Sequence, residues 1–187
     1  MMRWSWVSWG SCLLAIVAVS SAGAVTQLPK TFTQLVREAE TIVVGTVREC
    51  RSLRLPGGAI VTDVTLDVSR VVKASDPVGP WLVVRVLGGK ADDLELIIEG
   101  APTFRPRDGV LLFIRGNMRD MLPFVGVRQG VFRVSVDGRG GQHVGNAGGR
   151  PVAAIVDDQV MLGTLVDGGR GMPLPTFLQE VDRRLPR

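Results

Sequence analysis

The chain of 187 residues contains no tyrosine, one histidine and two cysteines. With His143 alone, a zinc site built from several imidazoles is excluded, as is an HExxH protease, which needs two histidines on one helix face. The sequence has no G-x-S-x-G nucleophile elbow and no D-x-[DN]-x-[DN]-G calcium loop. Aromatic residues are scarce, at 5%, which leaves few rings on which bases could stack and makes nucleic acid an unlikely partner. No run of five or six like charges occurs. The formal net charge of +4 is carried mainly by scattered arginines such as Arg48, Arg51, Arg54, Arg115, Arg119, Arg128 and Arg133.

The first residues read as an export signal. Arg3 supplies a positive start, Cys12 to Val19 is an apolar run, and Ala22-Gly23-Ala24 offers small residues for cleavage before Val25. The run is too short to span a bilayer, which takes about 20 apolar residues. The expectation is therefore a secreted or periplasmic protein with no membrane span after cleavage. Trp4, Trp6, Trp9 and Cys12 would leave with the signal, so the remaining chain keeps Trp81 and a free thiol at Cys50. A single cysteine allows no internal disulfide, and stability must come from a hydrophobic core. Roughly 160 residues suffice for one such core.

Periodicity predicts a mainly β chain. Phe32, Leu35, Val36 and Ala39 form a helical stripe opened by Thr31 and Gln34 in a capping box. Strands are expected at 41–48, with a bend or bulge at Gly45, at 60–68 after a Pro-Gly-Gly turn, and at 81–87. Further strands are expected at 94–98, 110–114, 124–127 and 131–136, the last closed by Asp137-Gly138. The glycine-rich stretch beyond offers weak strands at 152–156 and 160–166. A final helix is expected from Thr176 and Gln179, with Phe177, Leu178, Val181 and Leu185 on one stripe. This divides the chain into a signal (1–24), a barrel domain (25–136), a glycine-rich hairpin extension (137–174) and a terminal helix (175–187).

Gly88-Gly89-Lys90 invites a phosphate-loop reading, which fails. The first glycine of a Walker loop would fall at Val84 inside a strand, Ala91 stands where serine or threonine is needed, and no helix follows. The pair is expected to form a hairpin turn with positive φ, and Gly100 and Gly109 to allow bends around Pro102 and Pro106. Phe104 is expected to plug one end of the core; with Arg105 it is also the candidate contact for a partner, aromatic residues and arginine being favoured in interface hot spots. Arg48 and Arg51 beside Cys50 suggest a lowered thiol pKa and a candidate oxidation site. Asp92 with Asp93, Glu95 with Glu99, and Asp157 with Asp158 are the carboxylate pairs on which a hydrolase or calcium reading would rest. No residue is assigned to catalysis, a cofactor or a metal.

The order of FTQLVREAETIVVGTV, IVTDVTLDVSRVVKA, VVRVLGGK, EGAPTFRPRDGVLLFI and VGVRQGVFRV resembles a family of exported, largely uncharacterised bacterial proteins. The likeness runs from Phe32 to Val136, with Glu40 in place of the usual aspartate and Asp108-Gly109 where Gly-Glu is common. More loosely, it is similar to the netrin-like modules of tissue inhibitors of metalloproteinases, through the helix, the IVxGxV strand, a second strand ending at Lys73 and the late LLF strand. The resemblance implies a small OB-like Greek-key β-barrel with a short N-terminal helix, extra C-terminal hairpins and a C-terminal helix. It also implies association with an extracellular metalloprotease. Those inhibitors chelate zinc through an N-terminal cysteine, whereas cleavage here leaves Val25. The expected function is a non-enzymatic binding module for a protein or an extracellular (cell-envelope) polymer, with a carboxylate-based extracytoplasmic hydrolase as the alternative; the sequence does not specify an oligomeric state.

Overall fold

The computed structural model describes residues 29–164 and 170–186. The expected export segment, residues 1–24, lies outside them, as does the end of the strand expected at 160–166. The described chain is mainly β: α1 (Phe32–Glu38), β1 (Thr41–Arg54), β2 (Ile60–Ala74), β3 (Trp81–Leu87), β4 (Gly89–Ala91), β5 (Leu94–Leu96), β6 (Gly109–Ile114), β7 (Val131–Val136), β8 (Gln142–Asn146), β9 (Val152–Val156), β10 (Gln159–Leu162) and α2 (Leu174–Asp182). Six strands form one antiparallel sheet in the order β3-β2-β1-β6-β7-β8, while β4-β5 and β9-β10 are separate hairpins.

The centre of this sheet is apolar on both faces because it has a core on each side. Ile42, Val44, Leu111, Phe113, Phe132 and Val144 point to a cluster completed by Phe32, Leu35 and Val36 of α1 and by Leu174, Phe177, Leu178 and Val181 of α2. Val43, Val47, Val64, Leu66, Val84, Val86, Val110, Leu112 and Val131 form a second cluster on the opposite face. Strand alternation sends neighbouring residues to opposite sides, and the unbroken apolar run of β6 follows from burial on both. Rings of Phe32, Phe113, Phe132 and Phe177 meet at centroid distances of 4.9–6.2 Å, linking the helices to the sheet.

Local chemistry fixes the ends of α1. Thr31 Oγ1 accepts from Gln34 N, while Gln34 Oε1 accepts from Thr31 N at 2.8 Å, as the capping box requires. At the other end Lys73 Nζ donates to the carbonyls of Val36 and Arg37 at 3.0 and 2.9 Å, satisfying last-turn acceptors. Burial pushes the Lys73 ammonium below its ordinary pKa. The register of β1 on β2 shifts at Val44/Gly45, and a Cβ on Gly45 would lie 2.5 Å from the Asp67 carbonyl oxygen, so the expected irregularity is present there.

Several expectations are corrected. Among the described residues no sheet closes into a barrel. The outer edge of β3 is taken by residues 117–121: Asn117 Nδ2 donates to Val83 O, Arg85 N donates to Asn117 Oδ1, and Leu87 N donates to Met121 O. Those bonds occupy groups that would otherwise pair with a closing strand. Residues 124–127 make only one bridge, Ile114 with Phe124, before turning through Gly126 and Val127 at φ 61° and 52°. β1 and β2 run well past the predicted ends because polar cross-strand pairs such as Arg51 with Asp63 continue the ladder. β8 was not anticipated. Finally, α2 starts at Leu174 rather than at a Thr176 cap, with Pro175 in its first turn, where a missing N–H costs nothing.

Candidate functional site

The segment between β5 and β6, residues 97–108, separates two concave surfaces. On one side lies a groove of about 310 Å³ lined by Cys50, Ser52, Thr62, Val64, Val86 and Phe104, among others. On the other lies a basin of about 370 Å³ lined by Thr103, Arg105, Asp108, Arg128, Arg133 and the Ala147-Gly149 turn.

Phe104 lines the groove. Its half-buried ring packs against the second core cluster and lies 5.7 Å from Phe124, centroid to centroid. The Arg133 guanidinium stands over the ring at 5.4 Å, a cation–π arrangement. Phe104 is thus a partial plug with one surface left to the groove. The neighbouring Arg105 is exposed. Its backbone N–H donates to Asp108 Oδ2 at 2.8 Å, while its guanidinium has no partner among the described residues.

Arg133 is held on four sides. Nη1 donates to Asp108 Oδ2 at 2.6 Å, Nη2 to the Thr103 carbonyl, and Nε weakly to Ala147 O at 3.5 Å, with Phe104 beneath. Sequence reasoning missed this residue as part of a site. The signal was present in β7, where alternation puts Arg133 on the same face as Val131 and opposite Phe132. Nothing local could have joined it to Phe104 and Asp108, which come from a distant segment.

The expected glycine hairpin is displaced. Gly88 and Gly89 do adopt positive φ, at 102° and 128°, but β3 and β4 are not paired with each other. β4 pairs with β5, and the hairpin turn falls at Asp92-Asp93, with Asp92 at φ 54°. The two glycines kink the chain out of the six-stranded sheet. A Cβ on Gly89 would collide with the hydroxyl oxygens of Ser52 and Thr62. Those hydroxyls lie 2.9 Å apart, and Thr62 Oγ1 also donates to Gly88 O at 2.6 Å. The kink forms one wall of the groove. Gly100, at φ 78°, occupies a tight turn in which Ala101 N donates to Ile98 O. Gly109 is not a bend but the first residue of β6, where a Cβ would strike the Val134 carbonyl oxygen of β7.

Cys50 also departs from expectation. Its thiol donates to the Phe104 carbonyl at 3.6 Å. Burial, then the negative charges of Asp108 and Glu49, push the thiol pKa up rather than down. Arg48 is paired with Asp67 instead. A protonated thiol is a poor nucleophile, so the groove does not present an activated cysteine.

Of the carboxylate pairs, only Glu95 reaches this site, as an exposed residue of the groove lining, and its proposed partner Glu99 does not join it there. Asp92 and Asp93 form the exposed β4-β5 turn, and Glu95 and Glu99 are exposed beside it. Asp158 has a structural role: Oδ1 accepts from Thr33 N, Thr33 Oγ1 and Arg184 Nε at 2.8–3.1 Å, tying α1 to the β9-β10 hairpin and the C-terminal helix. Among the described residues no group of three or more His, Cys, Asp or Glu could hold a metal, and no helix is long and apolar enough to cross a membrane.

One feature of the groove rim stands apart from scattered surface apolar residues. Leu94 and Ile97 are 49% and 80% exposed. Ile97 lines the groove, and Leu94 is in the hairpin strand leading to it. Isolated exposed aliphatics are ordinary on protein surfaces; apolar residues beside a concavity are characteristic of contact sites. No family model matches the chain, and no curated protein or solved structure is significantly similar to it.

Proposed function

We propose that the protein is an exported, non-enzymatic binding module whose contact face is the groove side of residues 94–104, and that its partner is another protein. The observation that carries this reading is Ile97, projecting at the rim of a groove whose floor is the ring of Phe104 and whose wall is the rigid Gly88-Gly89 kink. An exposed aliphatic beside a preformed pocket suits the exchange of apolar side chains with a folded partner.

The strand order supports an OB-like, Greek-key origin for this face. β1, β2 and β3 are consecutive neighbours, and β6 returns through the long 97–108 connection to lie on the other side of β1, followed by β7. OB folds are partly open barrels, and residues 117–121 stand here at the β3 edge, where a closing strand would pair. On this reading the β4-β5 hairpin and the 97–108 connection form the binding rim.

The test is a photo-crosslinking amino acid placed at Ile97, with Met161, half exposed on β10, as the control position. The expected result is one discrete adduct in the extracytoplasmic fraction from Ile97 and none from Met161. Equal labelling from both positions, or none from Ile97, would defeat the proposal. Intact mass of the exported chain tests the localisation, with Val25 the expected first residue.

A further inference from the structure

The basin on the far side of the 97–108 segment has a distinct chemistry. It holds three guanidinium groups, those of Arg105, Arg128 and Arg133, against the single carboxylate of Asp108, which leaves two positive charges. Arg105 and Arg128 are exposed and have no ion-pair partner among the described residues. Some guanidiniums find carboxylates, as Arg85 does with Asp63, Arg115 with Glu38, Arg119 with Glu40, and Arg184 with Asp158 and Glu180. Arg105 and Arg128 instead bring two uncompensated charges to one concavity.

The basin is also organised. Asp108 accepts from both the Arg105 backbone and Arg133 Nη1, fixing the segment to β7. Arg133, with Asp108, Thr103, Ala147 and Phe104 around it, retains unused N–H donors but cannot swing away. Arg128 Nη2 lies beside the turn, 3.6 Å from where a Cβ on Gly148 would be. Asn146 Oδ1 draws in Gly148 N and Arg150 N at 3.0 and 2.9 Å, shaping the turn beneath. Because those backbone donors are consumed, recognition falls to the guanidiniums.

We infer that this basin is an oxyanion-binding site for a sulfate or phosphate monoester. A tetrahedral ester of either kind offers three terminal oxygens to the forks of Arg105, Arg128 and Arg133, one more than a carboxylate presents. Planar guanidinium forks bind such oxygens by paired, charge-assisted hydrogen bonds. The basin is open and polar, which suits a group carried on a larger molecule. The inference stands independently of the protein contact at Ile97, because the linings of the two surfaces share only Thr103.

The experiment is calorimetric titration of the purified protein at constant ionic strength set with chloride. The probes are inorganic sulfate, inorganic phosphate, a sulfated disaccharide and a carboxylate-only oligogalacturonide. Saturable binding of a tetrahedral anion is expected, weakened about tenfold by either Arg105→Ala or Arg128→Ala, each with an unchanged melting temperature. Tighter binding of the disaccharide than of free sulfate identifies an ester on a polymer as the source; the reverse order identifies the free anion. The inference is overturned if no tetrahedral anion saturates the protein, if the oligogalacturonide binds equally well, or if neither Arg105→Ala nor Arg128→Ala weakens binding. Ile97→Asp, on the other surface, is expected to leave this titration unchanged.

Discussion

Replacing Phe104 with alanine tests how the 97–108 segment is attached. A fully buried phenylalanine costs about 3–5 kcal/mol on truncation. Phe104 is half-buried, so about 1.5–2.5 kcal/mol is expected from lost burial and incomplete collapse. The ring pair with Phe124 and the Arg133 guanidinium above the ring each add about 0.5–1 kcal/mol. Arg133 keeps its bond to Asp108, so it is not left unpaired and contributes no further penalty. The total is about 2.5–4.5 kcal/mol, or roughly 5–18 °C in melting temperature for a domain of this size. Urea denaturation with a fitted m-value is the assay, because an unchanged m separates lost stability from a changed denatured state. Phe104→Leu, which keeps most of the apolar volume, is expected to lose less than half as much. A melting curve identical to wild type would refute the reasoning and make Phe104 a free-standing contact residue. A loss above about 5 kcal/mol would mean that the ring supports the core as a full plug does.

Other expectations follow from the same structure. Gly89→Val is expected to destabilise by about 2–4 kcal/mol, since it combines φ of 128° with collision against Ser52 and Thr62, while Lys90→Ala leaves the denaturation midpoint unchanged; a reversed ranking would contradict the kink. Acid is expected to weaken the fold through Glu40, Asp137 and Asp158, all held below the ordinary carboxylate range. The Gly116 N–H leads for Glu40 and the Gly141 N–H for Asp137; for Asp158 burial opposes, but bonds from Thr31, Thr33 and Arg184 outweigh it. Because these folded pKa values lie below the unfolded ones, their stabilisation is complete above the unfolded values and is lost as pH falls through the folded ones. Midpoints measured from pH 7 down to pH 3 should therefore fall, and less steeply in Asp158→Asn than in wild type; a rise on acidification would contradict the assignment. At neutral pH Cys50 is expected to react with a thiol-specific disulfide reagent more slowly in the native protein than in urea, because the folded thiol is raised and partly buried. Faster labelling of the native state would contradict it.

Where physical periodicity was strong, the fold was legible from residues alone. The capping box at Thr31 and Gln34, the irregularity at Gly45 and the two-faced burial of β6 all follow from local pattern. β8 was not legible, because QHVGN has too few apolar residues to show a period; its place comes from pairing with β7 and from Val144 entering the helix-side core. The Gly88-Gly89 pair shows a subtler limit. Positive φ could be foreseen, but a kink and a hairpin make the same demand on glycine, and only the partners Ser52 and Thr62 distinguish them. The candidate site was half legible. Phe104 and Arg105 stand out between prolines and glycines, whereas Arg128 and Arg133 join them only through tertiary placement. Likewise, the Cys50 environment could not be read from its sequence neighbours, since Arg48 turns to Asp67 while Asp108 arrives from a distant segment.

The binding face at the groove rim is tested by comparing wild type with Ile97→Asp for affinity to the partner captured from that position. Ile97 is 80% exposed, so the substitution should leave the melting temperature within about 1–2 °C of wild type. Affinity should fall at least tenfold, because a charge would have to enter an apolar contact. Unchanged affinity in a normally folded Ile97→Asp protein would contradict the account.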